Sequence, residues 1–338
     1  MAGDFLKIMK RDVWREFGSM GNNIIHVGQF PKSKTKNNYM PELPEVESLR
    51  RGLEEFVVGQ RVRNVEVLLG KIVSGRGTKR TNDESKVKNF CAKISGKKIL
   101  SITRRAKNMM INLERGGMLL VHLKMTGQLV YKSNKDNSTV SGGHPIQLSD
   151  NKLPNKHTYI IFTLEDGVLY YNDVRQFGYV LYFDSIEEIN KLGHFDDLGW
   201  EPLDEGFTLA AFTEKMKSKK GILKKLLLDQ KVVVGLGNIY ADEVCYEAGV
   251  RPDRKVETLS KKEIQKLYNS IIRIIPRAIE LGGSSVADYL LADGSRGNYA
   301  HEHKVYKRGG KKCFKCGREL NKSEVAGRTT VYCGFDQK

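Results

Sequence analysis

Met40-Pro-Glu-Leu-Pro-Glu-Val-Glu-Ser-Leu-Arg-Arg-Gly-Leu-Glu-Glu-Phe56 is the stretch on which the fold turns. From Pro44 onward the apolar residues Val46, Leu49, Leu53 and Phe56 recur at helical spacing. Pro44 suits a first-turn position, where its missing N–H costs nothing. Taken alone, the segment is a proline-rich entry into a helix with a solvated acidic face. Upstream, Pro31-Lys-Ser-Lys-Thr-Lys-Asn-Asn-Tyr39 has the polar, basic composition of a linker. Downstream, from about 60 to 182, short β-rich runs such as Met118–Leu123, Thr158–Leu164 and Val168–Tyr171 are separated by Gly, Asn and Asp turns. Strands in such succession imply a sandwich or barrel. Residues 133–155, rich in Ser, Asn, Asp and Gly, read as a loop inserted between strands. From about 205 the period becomes helical, with helices expected over 208–217, 221–229, 238–248 and 260–281. Gly235-Leu-Gly237 and Gly249 punctuate them, and regular periodicity ends at Gly282-Gly283. The last segment, 304–338, carries ten Lys+Arg against three Asp+Glu. No internal repeat is visible. The fold class is therefore α+β: an N-terminal helix and β domain, then a helical domain with a small C-terminal hairpin.

The chain has 338 residues, 40% of them hydrophobic, with 13 Phe, 14 Tyr and only 8 Pro, so it can bury a large core. A disordered, collagen-like or low-complexity protein is excluded. With 57 Lys+Arg against 40 Asp+Glu the net charge is +17, which draws polyanions: nucleic acid or an anionic membrane surface. The bland reading is a solvated basic surface with no partner. No apolar run approaches the roughly 20 residues needed to span a bilayer, so a membrane-embedded protein is not expected. Five cysteines, an odd number, with no secretory signal argue for a reducing compartment rather than a disulfide framework. The N-terminus lacks an unbroken apolar core and carries Asp4, Asp12 and Glu16, which a transit peptide avoids. A cytoplasmic protein is expected.

Cys313-Phe-Lys-Cys316 is followed, after sixteen intervening residues, by Cys333, with Asp336 where a fourth ligand would fall. Two tight turns each presenting a Cys pair close a tetrahedron around zinc. Three readings stand open here: a Cys3Asp zinc site, a metal-free hairpin, and incidental cysteines.

Several segments together resemble the bacterial formamidopyrimidine-DNA glycosylase family. They are Met40-Pro-Glu-Leu-Pro-Glu-Val-Glu47, Arg104-Arg-Ala-Lys107, His122-Leu-Lys-Met125-Thr-Gly127 and Asn172-Asp-Val-Arg175-Gln-Phe177-Gly178. Gln230-Lys231 through Asn238-Ile-Tyr-Ala, Gly282-Gly-Ser-Ser, Asp293-Gly294 and the Cys hairpin with Arg328 follow in the same order. The resemblance runs from Met40 to Lys338. It implies a helix plus β-sandwich over 40–182, a linker over 183–205, a helix-two-turns-helix domain over 206–303 and a zinc-finger hairpin over 304–338. It also implies base-excision repair of duplex DNA containing oxidised purines or abasic sites, by a monomer holding one structural zinc.

The same resemblance makes Pro41 the nucleophile, a secondary amine that expels the base and forms a Schiff base, permitting β- and δ-elimination. Glu42 is implied as general acid/base and Glu45 as its support. Lys107, His122, Asn238 and Arg328 are implied to clamp phosphates flanking the lesion, with Lys231 aiding positioning and base release. Met125, Arg175 and Phe177 are implied to fill the gap left by the extruded nucleotide. By themselves Met125 and Phe177 would read as sandwich core, and any one lysine as surface charge. Gln176 stands where many members have a second basic residue. Residues 284–303, including Ser295-Arg-Gly-Asn-Tyr299, occupy the place of the loop that closes over 8-oxoguanine. Their length favours oxidised purines over the oxidised pyrimidines of endonuclease VIII-like relatives.

Residues 1–39 depart from the pattern. Preceded by Met40, Pro41 has an amide nitrogen that cannot form an imine. The expectation is that translation begins at Met40, which is then trimmed. The alternatives are proteolytic maturation and a non-catalytic damaged-DNA-binding protein. A nonspecific zinc-finger binder would explain the charge and the cysteines but not Pro41-Glu42 or the wedge.

Overall fold

The computed structural model describes residues 40–77, 79–136, 138–143, 153–284 and 297–338. The extension 1–39 and most of the expected lesion loop, 285–296 with Asp293-Gly294, lie outside the described residues. Helix α1 (Leu43–Val57) begins at Glu42, whose backbone N–H donates to the Glu45 carboxylate at 3.0 Å, with Pro44 in the first turn. Its apolar stripe, Val46, Leu49, Leu53 and Val57, is buried between two antiparallel sheets. Each such leucine contributes about 2 kcal/mol of transfer free energy.

One sheet takes β1 (Val62–Val67), β5 (Gly127–Ser133), β6 (Thr139–Gly143), β7 (Thr158–Leu164) and β8 (Gly167–Asp173) in the order β1-β7-β8-β5-β6. The other takes β2 (Ile99–Arg105), β3 (Asn108–Leu113), β4 (Met118–His122) and β9 (Tyr179–Phe183) in chain order. In β7 burial alternates strictly, so Thr158, Ile160, Phe162 and Leu164 face inward, as a period of two dictates. Phe162, Leu129 and Tyr171 from the first sheet meet Ile111, Leu119 and Val180 from the second in one core. This is a sandwich rather than a barrel.

Three elements differ from the sequence reading. Helix α2 (Glu84–Ile94) interrupts the β-rich region; Asp83 caps it, accepting the Ser85 and Lys86 N–H groups at 3.0 and 3.2 Å. Only Phe90 and Ile94 are buried from it, too few to write a visible stripe. Strand β6 falls inside 133–155, read as loop, because Val140 is fully buried opposite Tyr131 of β5. Within 183–205, α3 (Ile186–Lys191) is capped by Ser185 and lays Ile189 on the outer face of the second sheet beside Leu120, Leu181 and Phe183.

The helical half comprises α4 (Leu209–Lys217), α5 (Leu223–Leu228), α6 (Asn238–Ala248) and the 20-residue α7 (Lys261–Glu280). Helix α6 stops where Gly249 adopts a left-handed conformation, φ 70°. Phe212, Leu227, Ile239, Leu267 and Ile271 form its core, and Leu43 from the start of α1 enters this core rather than the sandwich. The terminal hairpin β10 (Asn321–Val325) and β11 (Arg328–Tyr332) docks on α6 through a fully buried ion pair. Lys224 Nζ lies 2.5 Å from Asp242 Oδ1 and also donates to Thr330 Oγ1 at 2.7 Å, while Asp242 accepts the Val331 N–H at 3.1 Å. Among the described residues no helix is long and apolar enough to cross a membrane.

Candidate functional site

The Glu42 carboxylate reaches beyond its own helix. It sits at the N-terminus of α6, accepting the N–H of Gly237 at 2.7 Å, Ile239 at 2.9 Å and Tyr240 at 3.3 Å. A helix N-terminus presents unpaired N–H groups and a positive dipole end, the natural seat for a carboxylate. A Cβ at Gly237 would lie 2.5 Å from Glu42 Oε1, so only glycine admits this approach. Burial outweighs these bonds and the nearby Lys107 ammonium: the Glu42 carboxyl is pushed up from 4.5 to about 7. Burial raises Glu45 as well; its carboxylate accepts Tyr240 OH and Ser284 N–H, each at 2.7 Å. Lys107 is buried with its Nζ on the Leu236 carbonyl at 2.9 Å. Burial lowers its proton affinity, while Glu42 and Glu45 oppose that shift.

Glu42 and Lys107 line a cleft of about 580 Å3. Pro41 is buried, and its neighbours Met40 and Glu42 both line the cleft. His122, Met125 and Arg175 line it from the sandwich, and Asn238 and Arg328 from the helical half. His122 accepts the Lys124 N–H on Nδ1 at 3.0 Å, and burial, then Lys124 and Lys107, hold it well below its ordinary range. It is uncharged at neutral pH. Asn238 Nδ2 donates to the Thr329 carbonyl at 3.0 Å, which places Arg328 at the rim.

Arg175 and Phe177 project from a turn organised by buried Asp173, whose carboxylate accepts the Thr126 hydroxyl and the N–H groups of Arg175 at 3.2 Å and Gly178 at 2.7 Å. Arg175 Nη1 lies 3.1 Å from Met125 Sδ and its guanidinium 4.6 Å from the Phe177 ring. Phe177 is 48% exposed, so it is not sandwich core. Arg80 braces the turn from beneath, donating to the Gln176 and Gly178 carbonyls at 2.7 and 2.8 Å and to the Lys71 carbonyl at 2.9 Å. Beside Phe177 a second cavity of about 690 Å3 is lined by Arg76, Lys79, Arg80 and Lys124 with Tyr179 and no carboxylate. Lys124 borders both cavities.

Lys231 stands apart from the cleft: it is exposed and pairs with Asp197 at 2.9 Å, which raises its proton affinity. The sequence reading did not single out Lys124, Gln230, Tyr240 or Arg80. Lys124, Gln230 and Tyr240 lay inside quoted motifs; Gln230 pins the glycine loop through Gly235 N–H at 2.8 Å and the Leu236 carbonyl at 2.9 Å. Arg80 carried no local signal.

Cys313, Cys316, Cys333 and Asp336 bring their ligand atoms within 4.8 Å of one another. Cys316 and Cys333 sulfurs are 3.5 Å apart, close to the roughly 3.8 Å edge of a tetrahedron with 2.3 Å metal–sulfur bonds. Each knuckle turns an N–H onto sulfur, Lys315 to Cys313 and Asp336 to Cys333, both at 3.4 Å. Four acidic groups gathered this tightly form a set that can hold a metal ion.

Comparison with known proteins gives a consistent result. Residues 40–180 match the formamidopyrimidine-DNA glycosylase N-terminal domain and residues 198–289 its H2TH domain. A formamidopyrimidine-DNA glycosylase of Pelotomaculum thermopropionicum is 38% identical over 300 residues, covering 88% of this chain and 99% of that protein. One from Desulfitobacterium hafniense is 36% identical over 294 residues, 87% and 98%. Two Lactococcus lactis crystal structures, an Fpg mutant with Fapy-dG DNA and Fpg with abasic-site DNA, superpose with TM-scores of 0.75 and 0.74. They are 34% and 33% identical, each covering 88% of this chain and 100% and 99% of theirs.

Proposed function

This chain belongs to the formamidopyrimidine-DNA glycosylase family, and on that premise we propose that its cleft excises oxidised bases from duplex DNA and then cuts the strand at the abasic site. One observation carries the reading: Glu42, next in sequence to Pro41, is a buried carboxyl poised near pH 7 against Lys107. A group that holds its proton to neutrality can deliver it in a transition state and take it back.

With its amine free, Pro41 attacks C1′ and the N-glycosidic bond breaks, its electron pair leaving with the base, which takes up the proton given up by the amine. Glu42 protonates the sugar ring oxygen as the ring opens, leaving an iminium on Pro41. Loss of a C2′ proton then expels the 3′ phosphate, and a second elimination expels the 5′ phosphate. Glu45 supports Glu42 through the amide that joins it to Pro41. Lys107, His122, Asn238 and Arg328 hold the flanking phosphates, with neutral His122 as a hydrogen-bond donor. The cationic cavity of Arg76, Lys79 and Lys124 continues that track past Phe177. Met125, Arg175 and Phe177 occupy the gap of the extruded nucleotide, Arg175 facing the orphaned base. Lys231, exposed and outside the cleft, meets DNA after exchanging Asp197 for phosphate.

Cys313, Cys316, Cys333 and Asp336 would hold zinc, whose bonds to the two knuckles would brace the hairpin carrying Arg328. Oxidised purines are the preferred lesions, on the length of 284–303. The working divisions are 40–182 for catalysis, 206–303 for DNA binding and 304–338 for the metal hairpin. The enzyme works as a monomer in the cytoplasm, in a form that begins at Pro41.

Borohydride trapping on an 8-oxoguanine:cytosine duplex tests this, comparing chain 1–338 with one starting at Pro41. An adduct from the Pro41 form alone, weakened in Pro41→Gly, whose primary amine is less firmly held, and strongly reduced in Glu42→Gln, is expected. An adduct from intact 1–338 would move the nucleophile to another amine, with Lys107 and Lys231 to examine first. No adduct from either form would favour a damaged-DNA-binding protein.

A further inference from the structure

His303 takes no part in the chemistry above, yet it is buried and aimed at the catalytic pair. Its Nε2 is 2.8 Å from Ser284 Oγ; Ser284 Oγ is 3.2 Å from Tyr240 OH; Tyr240 OH is 2.7 Å from Glu45 Oε1. Every member is at most 6% exposed. Glu45 Oε2 in turn accepts the N–H of the Pro41–Glu42 amide at 3.0 Å. Three segments thus converge on α1 in one file: the stretch after residue 297, the exit from α7 at Ser284, and α6.

Donor counting fixes its direction. Tyr240 has one proton, and a carboxylate Glu45 takes it. Its oxygen must then accept from Ser284, so Ser284 Oγ must accept from His303 Nε2–H. We propose that His303 is a positioning residue: as terminal donor it locks this file so that Glu45 stays an acceptor and holds the Pro41–Glu42 amide in place. This rests on the proposed roles of Pro41 and Glu42. Packing supports it, since Tyr299 and Tyr306 enclose the imidazole at 5.6 and 5.5 Å between centroids. Burial, with Lys307 and His301 nearby, drives its proton affinity down to about 4, so the ring stays a neutral one-donor group at working pH. Glu45 itself faces Glu42 on its own helix, Lys107 beyond β2, Tyr240 on α6, and Tyr299 and Tyr306 from the C-terminal segment.

The test measures single-turnover excision against pH for the Pro41-starting chain. Tyr240→Phe, Ser284→Ala and His303→Leu each cost Glu45 a locked donor, so its limb of the profile should move up by about one pH unit. Because the links are in series, His303→Leu with Tyr240→Phe should shift no further than Tyr240→Phe alone. His303→Gln, whose amide can donate from nearly the same place, should restore the profile. A uniform loss of rate with unmoved limbs, or additive shifts, overturns the proposal. Imidazole nitrogen NMR tests the file independently of activity: His303 protonated on Nε2 is expected, and protonation on Nδ1 alone would overturn the file's direction. An inactive Pro41 form whose His303 is protonated on Nε2 would refute the proposed function and not the file.

Discussion

Replacing Glu42 with glutamine should separate stability from activity in a pH-dependent way. The carboxyl holds its proton more tightly folded, at about 7, than unfolded, near 4.5. The stability it contributes is therefore fully present below pH 4.5 and is lost as pH rises through about 7. The gap of 2.5 units corresponds to about 3 kcal/mol of wild-type stability lost across that window, none of which the variant can lose. Against this, the glutamine amide would offer one oxygen to three N–H donors at the start of α6, and a stranded buried donor costs about 1–3 kcal/mol. The variant should thus be the less stable protein at pH 5 and equal or overtake wild type at pH 8.5. Urea unfolding of both proteins at the two pH values measures this directly. A stability difference that stays constant to within 1 kcal/mol would refute the raised proton affinity and with it the case for Glu42 as acid/base.

Lys224→Met leaves Asp242 buried without its partner, which should cost about 3–5 kcal/mol. Burial raises Asp242 to about 7, so its proton can soften the loss in acid; thermal melts should show a smaller deficit at pH 5 than at pH 8, and equal deficits would count against this. Arg76→Gln with Lys79→Gln should flatten the salt dependence of DNA binding by about one unit of log–log slope per lost contact, read by fluorescence anisotropy. An unchanged slope would place that cavity off the DNA path. One zinc per chain is expected by elemental analysis, lost in Cys333→Ser along with several degrees of melting temperature. A fully folded protein free of metal would show the hairpin to be self-sufficient.

What could be read in the sequence was what chemistry marks locally. Helix α6 spans the expected 238–248 because Gly237 and Gly249 bound it, and β7 spans 158–164 because its alternation is unbroken. Helix α2 escaped because Phe90 and Ile94 are its only buried residues, and β6 because Val140 is the single strong anchor in a polar stretch. In the site, the motifs located the cleft-lining side chains but not their partners. Glu42 meets Gly237 across 195 residues of chain and Arg80 meets Gln176 across 96, pairings that no local pattern encodes. Lys124 was visible inside a motif, but its place between two cavities depends on Tyr179 and Arg76, brought from other strands and loops.

Glu42 is anchored on the first turn of α6, and Leu43, the next residue, is sealed in the helical core. The two halves of the molecule are therefore latched by the residues proposed above to form the reactive centre. A chain in which either half has yet to fold, or has come loose, lacks the seat that holds the Glu42 carboxyl beside Pro41. On that proposal the fold acts as an interlock, tying strand-cutting capacity to molecules whose sandwich and helical modules are both complete.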